Sequence, residues 1–421
     1  MKKLLTLTAF FSFAISLSAQ TMPKDADPKV WEKAVKIHKK AIVVDGHNDI
    51  TSPLVDEDYD LRNSSVGKFH LGGDPFHTDV SRLKAGGVTG EFFAIYVSGS
   101  TMKTGGAMHR AINMVDATYR EVERNPESLI SCTTAAEIRR AKKQNKICIL
   151  MGIEGGYVIE DSLAALRKFY RLGVRYMTLT HNVATNWADA HRDEKHGGLT
   201  DFGKEVVREM NRLGMFIDIS HISVKTMNDA LDVSTAPVIA SHSGARGVND
   251  HTRNVPDEVL KRVAKNGGVI MVNFYPSFLD ARTNKEENER TARLKPQVEA
   301  LSEQFKNDRR AFDDAVRKLE DANPIYMPTY ARIVDHIDHI KKVAGIDHVG
   351  LGSDFDGIPY LPVGMNGAED LVLVTYEMLR RGYTETEIKK VLGENLLRAM
   401  AQMEKVAGNR QISGQGSLKR I

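Results

Sequence analysis

Apolar runs of about seven residues recur along the chain and alternate with amphipathic stretches of helical period. The runs are "AIVVDGHND" (41–49), "GEFFAIYV" (90–97), "ICILMGIE" (147–154) and "VRYMTLTH" (174–181), followed by "MFIDISH" (215–221), "PVIASHS" (237–243), "GVIMVNF" (268–274) and "HVGLGSDF" (348–355). Between them lie segments such as "DFGKEVVREMNRLG", which ends at Gly214 as a helix C-terminus does. Near-continuous apolar strands separated by helices describe a parallel sheet covered on both faces. Eight such units in one chain predict a single α/β domain, a (β/α)8 barrel of the TIM type. Residues 280–332 break the pattern: they are highly charged, helical in character and poor in core residues, and predict a solvated helical insertion between strands seven and eight.

The ends of the chain read differently. "MKKLLTLTAFFSFAISLSAQ" has a basic start, an apolar centre and a small-residue end, which predicts a signal peptide over 1–19 and a protein exported to a periplasm or secreted. The barrel domain is expected over 20–405 and a polar, flexible tail over 406–421. No later run is apolar enough to span a bilayer, and no lipid-anchor signal is present.

Composition adds little to this picture. The 421 residues are 42% hydrophobic and 27% charged, with a formal net charge of +3. Two of those positive charges are Lys2 and Lys3, so there is no basic excess to suggest nucleic acid. Cys132 and Cys148 are expected to be two separate buried core thiols.

The chemistry gathers at strand ends. His47 and Asp49 close the first run and Glu154 the third; His181, His221 and His242 close the fourth, fifth and sixth, and Asp354 the eighth. Barrel sites form at the C-terminal ends of strands, so these residues converge. Clustered carboxylates and imidazoles in apolar surroundings need partners, and divalent metal ions are suitable ones. Five such ligands exceed one tetrahedral site, and a glutamate can bridge, which suggests two ions. Asp45 is expected on the same strand face as His47, one step deeper, orienting a ligand. His336 and His339 lie on the flank of a helix whose core stripe is Ile333, Ile337 and Ile340. His191 and His196, on the loop after the fourth strand, are within reach of the site mouth but are not expected as ligands, and His38, His70, His77, His109 and His348 have no supporting cluster.

The motifs "VDGHND", "GIEGG", "LTLTHN", "DISHIS", "ASHSGAR", "RNVPDEVL", "MVNFYP" and "GSDFDG", in this order from about residue 37 to 400, resemble the renal (membrane) dipeptidases, peptidase family M19. The resemblance implies a barrel with two Zn²⁺ ions per subunit, other divalent transition metals being possible, in a homodimer that hydrolyses dipeptides. Carried over by position, it makes His47 and Asp49 ligands of one ion, His221 and His242 ligands of the other, and Glu154 the bridge. His181 matches a residue at the scissile carbonyl and Arg253 the one that grips the free carboxylate. Asp354 matches the acid beside the bridging hydroxide that attacks the peptide bond, and Tyr275 is a further substrate contact. The loop "GSTMKTGGAMHR" (99–110) leaves side-chain preference open. The alternatives are a related binuclear amidohydrolase acting on a cyclic amide or a β-lactam-like ring, and a non-catalytic metal-binding module.

Overall fold

The structure, a computed structural model, describes residues 21–412; the expected signal peptide lies outside them. Nine parallel strands form one sheet. They are β1 (Val43–Asn48), β2 (Val88–Tyr96), β3 (Leu129–Ser131), β4 (Ile147–Glu154), β5 (Val174–Thr178), β6 (Phe216–Asp218), β7 (Ile239–Ala240), β8 (Val269–Val272) and β9 (Val349–Leu351). The order runs β2-β1-β9-β8-β7-β6-β5-β4, and a β2–β4 pairing closes it into an eight-stranded (β/α)8 barrel. Seven of the eight barrel strands fall within the apolar runs, and β2 overlaps its run but begins two residues before it. The ninth, β3, is a three-residue strand beside the lower half of β4, too short for its own periodicity to register.

That short strand corrects the cysteine expectation. Ile130 pairs with Cys148, so the chain leaving β3 brings Cys132 alongside β4, and the two cysteines form a disulfide with Cα atoms 5.5 Å apart.

The barrel interior is filled by Val44, Phe92, Leu150, Tyr176, Phe216 and Met271, with Leu397 and Met400 of the last helix in the same cluster. A second apolar layer joins the outer strand faces to the surrounding helices. Gly152 matters within the barrel: a Cβ there would lie inside the Tyr176 ring, so only glycine lets that ring cross the interior. Gly214, at φ +83°, ends the helix Asp201–Leu213 in the left-handed conformation its position in the sequence suggested.

The insertion is helical, as expected, with helices Ala281–Gln304 and Arg309–Asp321 between β8 and β9. It is less free of the barrel than its charge implied. Thr283, Arg290 and Leu294 are buried, and Glu287 accepts a hydrogen bond from Tyr275 Oη at 2.5 Å. The last helix, Asn395–Ile412, carries the chain past residue 405, and residues 413–421 lie outside the described residues. Among the described residues no helix is long and apolar enough to cross a membrane.

Three buried histidines tie these layers together as neutral rings. His38 Nε2 donates to Gly86 O at 2.8 Å, and His336 Nε2 donates to Leu279 O while its Nδ1 accepts from Ala245 N. His77 Nδ1 accepts from Asp356 N. Burial lowers the pKa of each to about 4. Their folded values lie below the ordinary 6.5, so the stability they contribute is complete above pH 6.5 and is lost as pH falls toward 4. Each costs on the order of 3 kcal/mol by then, at about 1.4 kcal/mol per pH unit. The melting temperature is therefore expected to hold from pH 8 to 6.5 and fall steeply below it. A flat profile down to pH 4.5 by thermal denaturation would contradict this.

Candidate active site

The C-terminal ends of the strands deliver the polar residues to one place. Glu154, the last residue of β4, stands at the centre. Its Oε1 lies 3.0 Å from His221 Nε2 and 3.3 Å from His242 Nε2, and its Oε2 lies 3.4 Å from His47 Nε2. His47 Nε2 is also 3.2 Å from Asp49 Oδ2 and 4.0 Å from Asp354 Oδ1. His181 Nε2 stands 3.8 Å from Glu154 Oε1. One carboxylate thus faces two ligand groups, one at each oxygen.

The backbone is shaped to this end. On β1 the register slips by one residue, with Asp45 opposite Glu91 and Asn48 opposite Phe93. This bulge overturns the expected two-residue alternation. Asn48 Nδ2 donates to Glu91 Oε1 beside Asp45, so Asp45 and Asn48, not Asp45 and His47, share a face. Asp45 acts on backbone instead, its Oδ1 accepting from His47 N at 3.3 Å and from Ser353 N at 2.7 Å. His221 and Asp354 have φ of +64° and +66°, unusual for residues bearing a Cβ, and both sit at the cluster.

Hydrogen bonds behind the rings decide what their inner nitrogens offer. Asn182 Oδ1 can only accept, so His221 Nδ1 carries the proton and Nε2 is left bare. Ser241 Oγ donates to Asp218 Oδ2, so its lone pair takes the His242 Nδ1 proton. The two bare Nε2 atoms then face each other at 2.8 Å, which is repulsive unless a cation lies within reach of both. His47 Nδ1 is engaged by Tyr176 Oη at 2.7 Å, while its buried Nε2 has no hydrogen-bond partner. This donor set fits divalent metal ions. The groupings His47–Glu154–His242, Glu154–His181–His221 and His47–Asp49–Asp354 each bring ligand atoms within 4.8 Å of one another.

The electrostatics agree. Burial opposes the charge of Glu154, yet the facing imidazoles of His47, His181, His221 and His242 hold it well below the ordinary carboxylate range. Asp49 is pushed up by burial and by Glu154 beside it. His221 is pulled well down by burial, Arg253 and His181, and His242 by burial and His47. His47 is instead pushed well up, the neighbouring Tyr176, Glu154 and Asp49 outweighing its burial, so protons alone would charge this imidazole and crowd Asp49; cations would leave the carboxylates ionised and the imidazoles neutral.

A half-open cavity of about 440 Å³ stands over the cluster, lined among others by Asp49, Glu154, His181, His221, Arg253 and Asp354. Arg253 is 2% exposed. Its Nη2 donates to His242 O at 3.3 Å, but Nε and Nη1 have no partner, and the guanidinium stands 5.0 Å from the Phe278 ring centre. Burial lowers its pKa to about 10. A buried guanidinium with idle donors on a cavity wall is a place for an anion. Asp354 Oδ2 accepts from Asn273 Nδ2 at 2.7 Å, which directs the carboxylate toward the cluster. Tyr275 also lines the cavity, with its hydroxyl already engaged by Glu287.

Of the other histidines, His336 is buried under the barrel helices and His339 pairs with Asp257 at 2.7 Å. His196 Nε2 meets Thr185 O, and His191 Nε2 donates to Asn182 Oδ1 behind His221. His70 pairs with Asp356 at 3.1 Å. Sequence reasoning missed the residues that hold the cluster from behind: Tyr176, Asn182, Asp218, Ser241 and Asn273. Asp218, three residues before His221, and Ser241, directly before His242, offered a faint signal as polar residues within apolar runs.

Comparison with known proteins gives a consistent result. The family model for membrane dipeptidase, peptidase family M19, matches residues 31–414. The fold matches the probable dipeptidase PvdM from Pseudomonas aeruginosa with a TM-score of 0.75 and 26% identity, over 90% of this chain and 99% of that one. It also matches a metallopeptidase from Rhodobacter sphaeroides liganded with a phosphinate mimic of the dipeptide L-Ala-D-Ala, with a TM-score of 0.67 and 26% identity, over 86% and 100% of the two chains. A third match, the dipeptidase AC, a metallopeptidase of family M19, has a TM-score of 0.68 and 26% identity over 86% and 98%. The chain belongs to the membrane dipeptidase family of metallopeptidases, M19.

Proposed function

We propose that the protein is a two-metal dipeptidase, with zinc as the metal and the peptide bond of free dipeptides as the target. The observation that carries this reading is the placement of Glu154 between two ligand groups, under a cavity with a buried, unsatisfied arginine on its wall. His47 and Asp49 would hold one ion, His221 and His242 the other, and Glu154 both. Imidazole and carboxylate donors without thiolate suit zinc, and also manganese or cobalt. Bound there, such ions supply Lewis-acid activation of a water nucleophile and of the scissile carbonyl.

The chain's own residues do the rest. Asp354, held at one oxygen by Asn273, presents the other toward the cluster to accept the nucleophile's proton and return it to the leaving amine. His181, on the cavity wall, donates to the oxyanion as it forms. Arg253 receives the substrate's free carboxylate, and its fixed distance from Glu154 selects a substrate only two residues long. The liganded Rhodobacter sphaeroides relative supports the choice of a dipeptide. Export is supported by the N-terminal segment and by the Cys132–Cys148 disulfide, a bond that persists in oxidising compartments. A homodimer is proposed on the family resemblance.

Purified protein is expected to cleave simple dipeptides, to lose that activity on exhaustive chelation, and to regain it with Zn²⁺ at about two ions per chain by elemental analysis. Full activity in metal-free protein would overturn the proposal. Turnover of cyclic amides with none of any dipeptide would replace the substrate.

A further inference from the structure

A second hollow, of about 330 Å³, adjoins the cavity and shares Asn182, Arg253, Tyr275 and Phe278 with it. Its remaining lining includes His191, Arg192 and His251 and, from the insertion, Asn284, Glu287 and Asn288. The hydrogen bonds around His251 leave a demand unmet. Arg253 N donates to His251 Nδ1 at 3.1 Å, so the proton of the neutral ring sits on Nε2. That Nε2–H faces Arg192 Nη2 at 3.2 Å, so two donors meet with no acceptor between them. The guanidinium groups of Arg192 and Arg253 both line the hollow, and burial with these two arginines beside it lowers the His251 pKa to about 4. The field in the hollow is therefore positive. Its one carboxylate, Glu287, has its oxygens engaged by Tyr275 Oη and Ser277 Oγ.

We infer that this hollow receives the side chain of the substrate's C-terminal residue and favours an acidic one, with Arg192 and His251 Nε2–H as its donors. The inference rests on the dipeptidase reading. The carboxylate and the side chain of that residue branch from one Cα, so the side-chain site must adjoin the carboxylate's site, and Arg253 is the wall common to both. A carboxylate between Arg192 and His251 supplies the acceptor that the facing donors lack.

The test measures kcat/KM of the zinc-loaded protein for Ala-Ala, Ala-Glu and Ala-Lys, each with L and D C-terminal residues. Ala-Glu is expected to exceed Ala-Lys by about tenfold or more, a modest factor because Arg192 is solvent-exposed. Arg192→Gln is expected to collapse the ratio and Arg192→Glu to invert it; Arg192 is exposed, so both variants are expected to fold, and circular dichroism of both checks this. Equal values for the three substrates, or a preference for Ala-Glu that survives Arg192→Glu, overturns the inference while leaving the dipeptidase reading intact. Failure to cleave any of the dipeptides overturns both.

Discussion

Glu154→Gln is expected to remove bound metal and activity together. The substitution keeps the shape of the side chain but deletes the negative charge that faces His47 on one side and His221 and His242 on the other. An amide also cannot accept at both ends, so its NH₂ must point at one of the two ligand groups. Metal content should fall by at least one ion per chain, and kcat/KM by on the order of 10³-fold, equivalent to about 4 kcal/mol of transition-state stabilisation. Elemental analysis beside steady-state kinetics checks both. A variant that keeps its full metal complement and remains within tenfold of the parent would show that Glu154 bridges nothing.

Asp354→Asn should separate the two properties. Asp354 is 4.0 Å from the nearest ligand nitrogen, and its Oδ2 is held by Asn273, so an amide fits the same space. Metal should remain, whereas kcat should drop by about 10³-fold, because the group that relays the proton is gone. Loss of metal in this variant would reassign Asp354 as a ligand, and unchanged turnover would remove it from the chemistry.

These two residues were legible in the sequence for a simple reason. Each ends an apolar run, and in a closed parallel barrel the ends of all strands meet, so local pattern and global position coincide. The same holds for His47, Asp49, His181, His221 and His242, which the structure brings to one cluster. Arg253 and Tyr275 lie on loops after the strands, and only the family resemblance pointed to them. The insertion's existence was readable from its charge, but not its docking, which depends on Glu287 meeting Tyr275 and Arg290 being buried.

What the sequence by itself determined was the barrel, its eight strands and the set of polar residues at their tips, because hydrophobic periodicity is a property of neighbours along the chain. Tertiary structure alone decided the rest. The slip on β1 turned Asp45 away from His47. A three-residue strand joined Cys132 to Cys148. Asn182, Ser241 and Tyr176 set which ring nitrogens face inward, and Arg192 came to stand against His251. Each of these depends on register or on a hydrogen bond between residues distant in sequence, and no local pattern encodes where such partners meet.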